Sequence, residues 1–212
     1  MSTLDVRRAW PSLVLTLAAA LVLSAGIALA APEDKPKAGQ PPAGPGPAAM
    51  EAYAKAAQPG APHERLARLA GHWTTQVKAW FVPGQPATES TGTMDIAPIL
   101  GGRYVETIHK GQMMGQPFEG REIDGYDNIA GQYVSSWVDN GGTGVLMLTG
   151  QADASGKVVT MTGDFVDPVT HKKMTYKGVS TYLDDDTMRY ESYMVSGGKD
   201  AKVMEVMAKR VK

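Results

Sequence analysis

Apolar residues recur with two different periods along the chain, and the change falls at Gly71-His72-Trp73. Before it, Met50–Ala57 and His63–Leu69 are rich in helix-forming residues, and Leu66 and Leu69 lie on one face of the second segment. The glycine of the boundary supplies a helix stop. The pattern therefore predicts one or two short N-terminal helices.

After the boundary, apolar and polar residues alternate in about ten short segments separated by Gly, Pro, Asn and Asp turns. Connections this short favour antiparallel neighbours in either a barrel or a sandwich, and strand number does not separate the two. A barrel leaves no open strand edge, which suits a chain with few helices, so we predict an all-β antiparallel barrel. The predicted strands are His72–Val82, Thr88–Ile99, Arg103–Lys110, Phe118–Tyr126, Gln132–Asp139, Val145–Gln151, Lys157–Val166, Lys173–Leu183, Thr187–Val195 and Lys202–Val211.

The N-terminus has the features of an export signal. Arg7 and Arg8 precede an apolar run, Leu13 to Ala30, which ends in Ala28-Leu29-Ala30. These are the charged, apolar and cleavage regions of a secretory signal peptide, here residues 1–30. An uncleaved membrane anchor is the alternative, because the run is nearly long enough to span a bilayer. The small-x-small motif favours cleavage after Ala30, so we expect a periplasmic or secreted protein.

Residues 31–49 are dominated by Pro, Ala and Gly, which predicts a disordered linker, and residues 50–212 are expected to form the barrel domain. With no cysteine, the domain depends on its core and not on disulfides. The net charge of the whole chain is −1, and loss of Asp5, Arg7 and Arg8 with the signal makes it −2. A near-neutral protein has no electrostatic attraction to nucleic acid, and we expect no membrane insertion after signal removal. The oligomeric state stays open.

Several short motifs run from the helices to the last strand: Leu69-Ala70-Gly71-His72-Trp73, Leu100-Gly101-Gly102-Arg103, Gly115-Gln116-Pro117-Phe118-Glu119-Gly120, Gly125-Tyr126-Asp127-Asn128, Trp137-x-Asp139 and the terminal Arg210. Together they resemble an uncharacterised bacterial family known only as a domain of unknown function, over residues 50–212. The resemblance implies a lipocalin-like barrel, distantly similar to fatty-acid-binding and nitrobindin barrels. It implies no established activity.

The resemblance also implies how one barrel end is closed. Gly71 lets the chain turn into the barrel without a Cβ clash, and the Trp73 indole buries a large area there. In lipocalin-like barrels an arginine of the last strand lies over this ring, and Arg210 stands at that position. We expect Arg210 to stack on Trp73, a contact worth about 1–2 kcal/mol when desolvated.

Polar residues inside apolar or aromatic strands are the candidate ligand contacts. In Thr187–Val195, Arg189 and Glu191 alternate with an apolar-aromatic face. They would anchor a polar ligand group if they pointed inward, and would form a solvated face if they pointed outward, which is the usual alternation. The pocket candidates are Tyr104, Glu106, Tyr126, Trp137, Asp139, Arg189 and Glu191.

These features favour a protein that binds a small, partly apolar molecule inside the barrel. An enzyme is the first alternative, with a cavity carboxylate such as Glu106 or Glu191 as acid/base, provided that the carboxylate is buried beside the cavity with a perturbed pKa. The second alternative is a filled barrel with a structural role in the envelope and no ligand. No catalytic residue is assigned.

The histidines and methionines are the remaining candidates for metal or cofactor binding. The histidines lack metal-ligand spacing, and the methionines are expected in the core or cavity lining and not as copper ligands, so we expect no metal. We also expect no cofactor. Haem held by His109 or His171 is the alternative, suggested by the distant similarity to nitrobindin.

Overall fold

A computed structural model describes residues 44–82 and 84–212. Within this part, Pro45–Lys212 forms one compact unit. The predicted signal peptide, residues 1–30, and most of the predicted linker, residues 31–49, lie outside the described residues. Neither α-helix in the described ranges has the length and hydropathy that crossing a membrane requires.

Two short helices precede the barrel, α1 (Pro47–Ala56) and α2 (Ala61–Ala67). Helix α1 begins three residues before the predicted start, inside the predicted linker, because Pro47 occupies a first-turn position behind an extended Gly46. Helix α2 likewise begins with a proline in its first turn and buries His63 and Leu66. The prediction of one or two short helices is confirmed.

Ten strands follow and close into one barrel, each hydrogen-bonded to antiparallel neighbours, with β1 pairing both β2 and β10. This confirms the all-β barrel over the sandwich. Each predicted strand is present, with ends that agree to within three residues. The strands are β1 (Gly71–Ala79), β2 (Thr88–Ile99), β3 (Tyr104–Met113), β4 (Gln116–Asp127), β5 (Gln132–Asp139), β6 (Leu146–Ala152), β7 (Val158–Val166), β8 (Lys173–Asp184), β9 (Thr187–Ser196) and β10 (Lys199–Arg210).

The two ends of the barrel differ. Helix α2 packs against β2, β3 and β4 at the end where β1 begins and β10 ends, which we call the closed end. A cluster of buried apolar residues lies there and in the adjoining wall: Leu66, Trp73, Ile96, Val105, Tyr133, Leu148 and Val159 among them. Because neighbours are antiparallel, the odd-numbered strands run from this end toward the opposite one, which we call the open end.

Trp73 and Arg210 lie directly opposite each other in the β1–β10 pair. The indole Nε1 donates to the Leu69 carbonyl at 3.0 Å, which ties the tryptophan to the end of α2. The Arg210 guanidinium donates to the Arg68 carbonyl at 3.0 Å. Gly71 has φ 139°, and a Cβ at this position would lie 2.9 Å from Arg210 Nη1. Glycine is therefore required both by the backbone turn and by the arginine.

Candidate functional site

A cavity of about 1140 Å³ occupies the barrel interior. Cavities of roughly 300–1,000 Å³ hold drug-sized molecules, so this interior has room for one. Side chains therefore do not fill the barrel. Much of the wall is apolar, and its lining includes Val105, Leu148, Val159, Met161, Met188 and Val206.

The open end carries exposed apolar side chains beside the cavity mouth. They belong to four different hairpins, those that follow β1, β3, β5 and β7. Exposed apolar groups around a cavity are the usual border of a ligand entrance. The residues are Phe81, Met113, Met114, Val145 and Val166.

Two carboxyl groups stand on the inner face of β4, which we call the carboxyl pair, Glu122 and Asp124. They are two residues apart on one strand, and both line the cavity. The Ser135 hydroxyl, from the neighbouring strand β5, is almost completely buried and donates to Glu122 Oε1 at 3.0 Å. His109, on β3, places Nε2 3.5 Å from Glu122 Oε2.

Asp124 has the more unfavourable position of the two. Its Oδ1 is buried and has no hydrogen-bond partner among residues 44–82 and 84–212. Burial, and then the negative charge of Glu122, raise the pKa of Asp124 well above its ordinary value. The side chain is nevertheless only half-buried overall, since part of it faces the cavity. The Oδ1 atom itself is enclosed by protein atoms, and the rest of the carboxyl side chain faces the interior.

Two tyrosines, Tyr176 of β8 and Tyr190 of β9, bring further polar atoms to the cavity. Their hydroxyl oxygens are 3.0 Å apart. Burial raises the pKa of both phenols, so they are neutral and can donate or accept a hydrogen bond. The charges of Glu122 and Asp124 also raise the pKa of Tyr190, because they lie in the same interior.

Trp137 forms an aromatic section of the wall toward the open end. Its ring meets His109 edge to face, with centroids 4.9 Å apart, and lies nearly parallel to Phe118 at 6.3 Å. The indole Nε1 donates to Asp139 Oδ2 at 2.7 Å. A Cβ on Gly120 would lie 2.5 Å from the indole Cη2, so this glycine leaves the space that the ring occupies.

The structure separates the predicted pocket residues into three groups. Trp137 and Asp139 line the cavity. Tyr126 lies at the closed end, where its ring contacts Tyr133 and His63 edge to face. The remaining four do not line the cavity, because they fall on the outward positions of β3 and β9: Tyr104, Glu106, Arg189 and Glu191.

Glu106 and Glu191, which point outward, form ion pairs on the outer face of the barrel. Glu106 accepts from Arg121 Nη1 at 3.3 Å. Glu191 lies 3.4 Å from Arg189 Nε and also pairs with Lys202, whose ammonium lowers the pKa of Glu191. Burial beside the cavity, which the enzyme alternative requires of Glu106 or Glu191, is found instead for Glu122 and Asp124.

Sequence reasoning did not include the carboxyl pair, Tyr176 and Tyr190 among the pocket residues. The available signal was parity: Glu122 and Asp124 stand at even spacings from Phe118 and Tyr126 on the same strand. Even spacing identifies cavity residues only when the inward face of the strand is known. The mixture of polar and apolar residues on β4 does not show which face that is.

The two histidines considered for haem have different surroundings. His171 lies in the exposed β7–β8 turn with φ 55°, and its N–H donates to the Asp167 carbonyl at 2.9 Å. His109 lines the cavity, but a Glu122 oxygen already stands 3.5 Å from its Nε2. That nitrogen is buried and makes no hydrogen bond within the described ranges, so haem ligation by His109 stays an alternative prediction. In the described ranges, no group of three or more His, Cys, Asp and Glu side chains is arranged to hold a metal ion.

Comparisons with known proteins agree with this fold. The crystal structure of Rv2717c from M. tuberculosis is similar, with a TM-score of 0.55 and 16% sequence identity over 72% of this chain and 99% of that chain. At this identity the likeness shows the fold alone. A search of curated proteins gave no significant match. The family model described as "Protein of unknown function (DUF1579)" matches residues 58–210, which confirms the resemblance predicted from the motifs. The chain therefore belongs to this family of proteins of unknown function, DUF1579.

Proposed function

We propose that the barrel binds one small, partly apolar molecule in its interior. The observation that carries this proposal is the cavity of about 1140 Å³, whose apolar wall is interrupted by a few buried polar groups. This combination is typical of small-molecule sites, in which apolar contact supplies affinity and a few polar groups fix orientation. The exposed apolar residues at the open end provide a path for an apolar molecule to enter.

Two adjacent positions on β10 provide a matched test. Val206 lines the cavity, whereas the next residue, Met207, points to the outer face. Val206→Trp should fill part of the interior, and Met207→Trp should leave it open. The full chain is titrated with Nile red, a neutral dye that fluoresces in apolar surroundings. Val77→Trp, on the paired strand β1, is a second filling variant in case the first fails to fold.

We expect saturable dye binding by the wild-type chain and by Met207→Trp, and at least a tenfold weaker affinity in both filling variants, a change of about 1.4 kcal/mol. Circular dichroism identifies any variant that has lost its strands. Absence of saturable binding by the folded wild-type chain, or equal binding by the folded filling variants, would overturn the proposal.

A second candidate function is acid/base catalysis in the same cavity. The raised pKa of Asp124 beside Glu122 supports it, since carboxyls with perturbed pKa values in a cavity are typical of catalytic acids and bases. An enzyme should convert a compound that enters the cavity, and Asp124→Asn should stop turnover while leaving dye binding intact. Mass analysis of a metabolite extract incubated with each protein tests this. A product that forms equally with Asp124→Asn would exclude the carboxyl as the catalyst.

Export belongs to the proposal as well. The N-terminal charged, apolar and small-residue pattern supports cleavage after Ala30 and action in the periplasm or outside the cell. N-terminal sequencing of the protein from its own cells tests this. A mature chain that begins at Ala31 is expected, and a cytoplasmic chain that begins at Met1 would contradict export.

A further inference from the structure

Most of the charged side chains that line the cavity are acidic. The acidic side chains of the cavity wall are Glu122, Asp124 and Asp139, with Glu89 near the mouth. Among lining residues in the described part of the chain, the basic side chains are His109 and Lys110, and Lys110 is exposed. The inner part of the cavity therefore offers acceptors and negative charge, with one imidazole as the basic group.

The His109 imidazole lies beside only one of the two carboxyls of the carboxyl pair. His109 Nε2 is 3.5 Å from Glu122, and Ser135 donates to the same carboxyl at 3.0 Å. Asp124 has no cation beside it, and its Oδ1 has no hydrogen-bond partner in the described ranges. Removing a carboxylate from water without a cation beside it is costly, so a cation at this site would stabilise the ionised form of Asp124.

Aromatic rings line the same cavity as the carboxyl pair. Trp137, Tyr176 and Tyr190 all line the cavity, and their π-faces attract cations electrostatically. The two phenols also offer hydroxyl oxygens, 3.0 Å apart, as further acceptors. Acidic groups with aromatic walls suit an ammonium better than a neutral hydroxyl, and they disfavour a carboxylate.

We infer that the ligand carries a protonated amine on an apolar body, with the amine held by Asp124 and Glu122. This inference rests on the proposed function and names the class of ligand for the same cavity. The ammonium would lie against the cavity-facing part of the two carboxyls and supply a positive charge, and its apolar body would lie against the Val, Leu and Met wall. The raised pKa of Asp124 agrees with this, since it reflects burial and the negative charge of the neighbouring Glu122.

Three probes with the same tail and different head groups separate the possibilities: dodecylamine, dodecanol and dodecanoate. Each is used below its micelle concentration at pH 7 to displace Nile red from the full chain. We expect dodecylamine to bind at least tenfold more tightly than dodecanol, and dodecanoate to bind most weakly. Equal binding of the amine and the alcohol, or tighter binding of the carboxylate, would overturn the inference.

Variants of β4 show whether the preference comes from the carboxyl pair. Asp124→Asn and Glu122→Gln keep the shape and remove a charge, so each should lower dodecylamine affinity at least tenfold and leave dodecanol affinity unchanged. Glu119→Gln removes a charge from the exposed outer face of the same strand and should change neither. An amine preference that persists in both interior variants would contradict the assignment.

The two proposals fail in different ways. If Nile red does not enter the wild-type barrel, both the proposed function and the amine preference are overturned. If the dye enters and the three head groups bind alike, only the amine preference is lost.

Discussion

The Arg210 guanidinium lies over the Trp73 indole, with its central carbon 4.3 Å from the ring centroid. Trp73 is only 1% exposed, so this contact closes the barrel at the junction of its first and last strands. The same guanidinium reaches the carbonyls of Ala70 and Asp185, and Asp186 Oδ1 lies 3.1 Å from Nε. One arginine thereby joins the α2–β1 connection to the β8–β9 hairpin.

Trp73→Ala should destabilise the barrel strongly. The substitution leaves a cavity where a buried indole stood and removes its hydrogen bond to the Leu69 carbonyl. Replacing a buried Trp with Ala typically costs about 3–5 kcal/mol of unfolding free energy. Urea unfolding followed by circular dichroism measures the change. A variant with the wild-type midpoint would show that Trp73 is not essential for closing the barrel.

Arg210→Met should cost less, about 1–3 kcal/mol, because it removes the cation over the ring and the guanidinium hydrogen bonds but keeps part of the apolar stem. Lys209→Met, at the adjacent outward position, is the matched control and should change stability by less than about 0.5 kcal/mol. Thermal unfolding of the two variants gives the comparison. Equal destabilisation by both would indicate that the loss is not specific to the stacked arginine.

Asp124→Asn should stabilise the protein at neutral pH. The pKa of Asp124 is raised in the folded state, so the folded protein binds more protons than the unfolded chain between the ordinary value of 3.8 and the raised value. The unfolding free energy contributed by this group therefore falls as pH rises through that window, by about 1.4 kcal/mol for every pH unit that the window spans. The amide has no such penalty.

The measurement for Asp124 is a difference between two proteins. Other carboxyls, such as Asp164 and Glu191, have lowered pKa values and change stability with pH in the opposite direction. They are the same in wild type and variant, so subtraction of the two stability curves from pH 4 to pH 8 removes their contribution and leaves that of Asp124 together with its interaction with Glu122. The variant should gain stability over wild type as pH rises. A constant difference across this range would contradict the raised pKa.

Gly120→Ala should disturb the aromatic wall. The new methyl group would lie 2.5 Å from the Trp137 ring, so the indole must shift and its contacts with His109 and Asp139 must change. We expect a changed tryptophan emission spectrum and a loss of about 1–3 kcal/mol from overpacking. Gly144→Ala, where a Cβ would meet nothing within 4 Å, is the control and should leave both unchanged. An unaltered emission spectrum in Gly120→Ala would contradict the close ring–backbone packing.

The strands were predictable because each boundary carries turn residues. The contact between Arg210 and Trp73 at the closed end was predictable because the family resemblance implied it. The inward face was harder to predict. On β3, Val105, Thr107 and His109 line the cavity, while Tyr104 and Glu106 point outward. Both faces thus mix apolar and polar residues. A cavity that contains polar groups lowers the contrast between inside and outside, which is the signal that alternation depends on.

The mixed polarity of both strand faces also explains why the predicted pocket included Glu106 and not Glu122. Glu106 and Glu122 are both acidic residues in mixed strands, and the sequence alone does not show that one pairs with Arg121 outside while the other faces Ser135 inside. Their separation depends on the register of β3 with β4, which is set by packing across the whole barrel.

Whether the barrel interior is a ligand site is tested most directly by native mass spectrometry. The full chain and Val206→Trp are each exposed to a lipid and metabolite extract of the source cells. We predict one additional non-covalent mass on the wild-type chain, absent from the filled variant, with an apolar body and an amine. Wild-type protein that remains free of any bound mass, or equal binding by the filled variant, would contradict a ligand site in the interior.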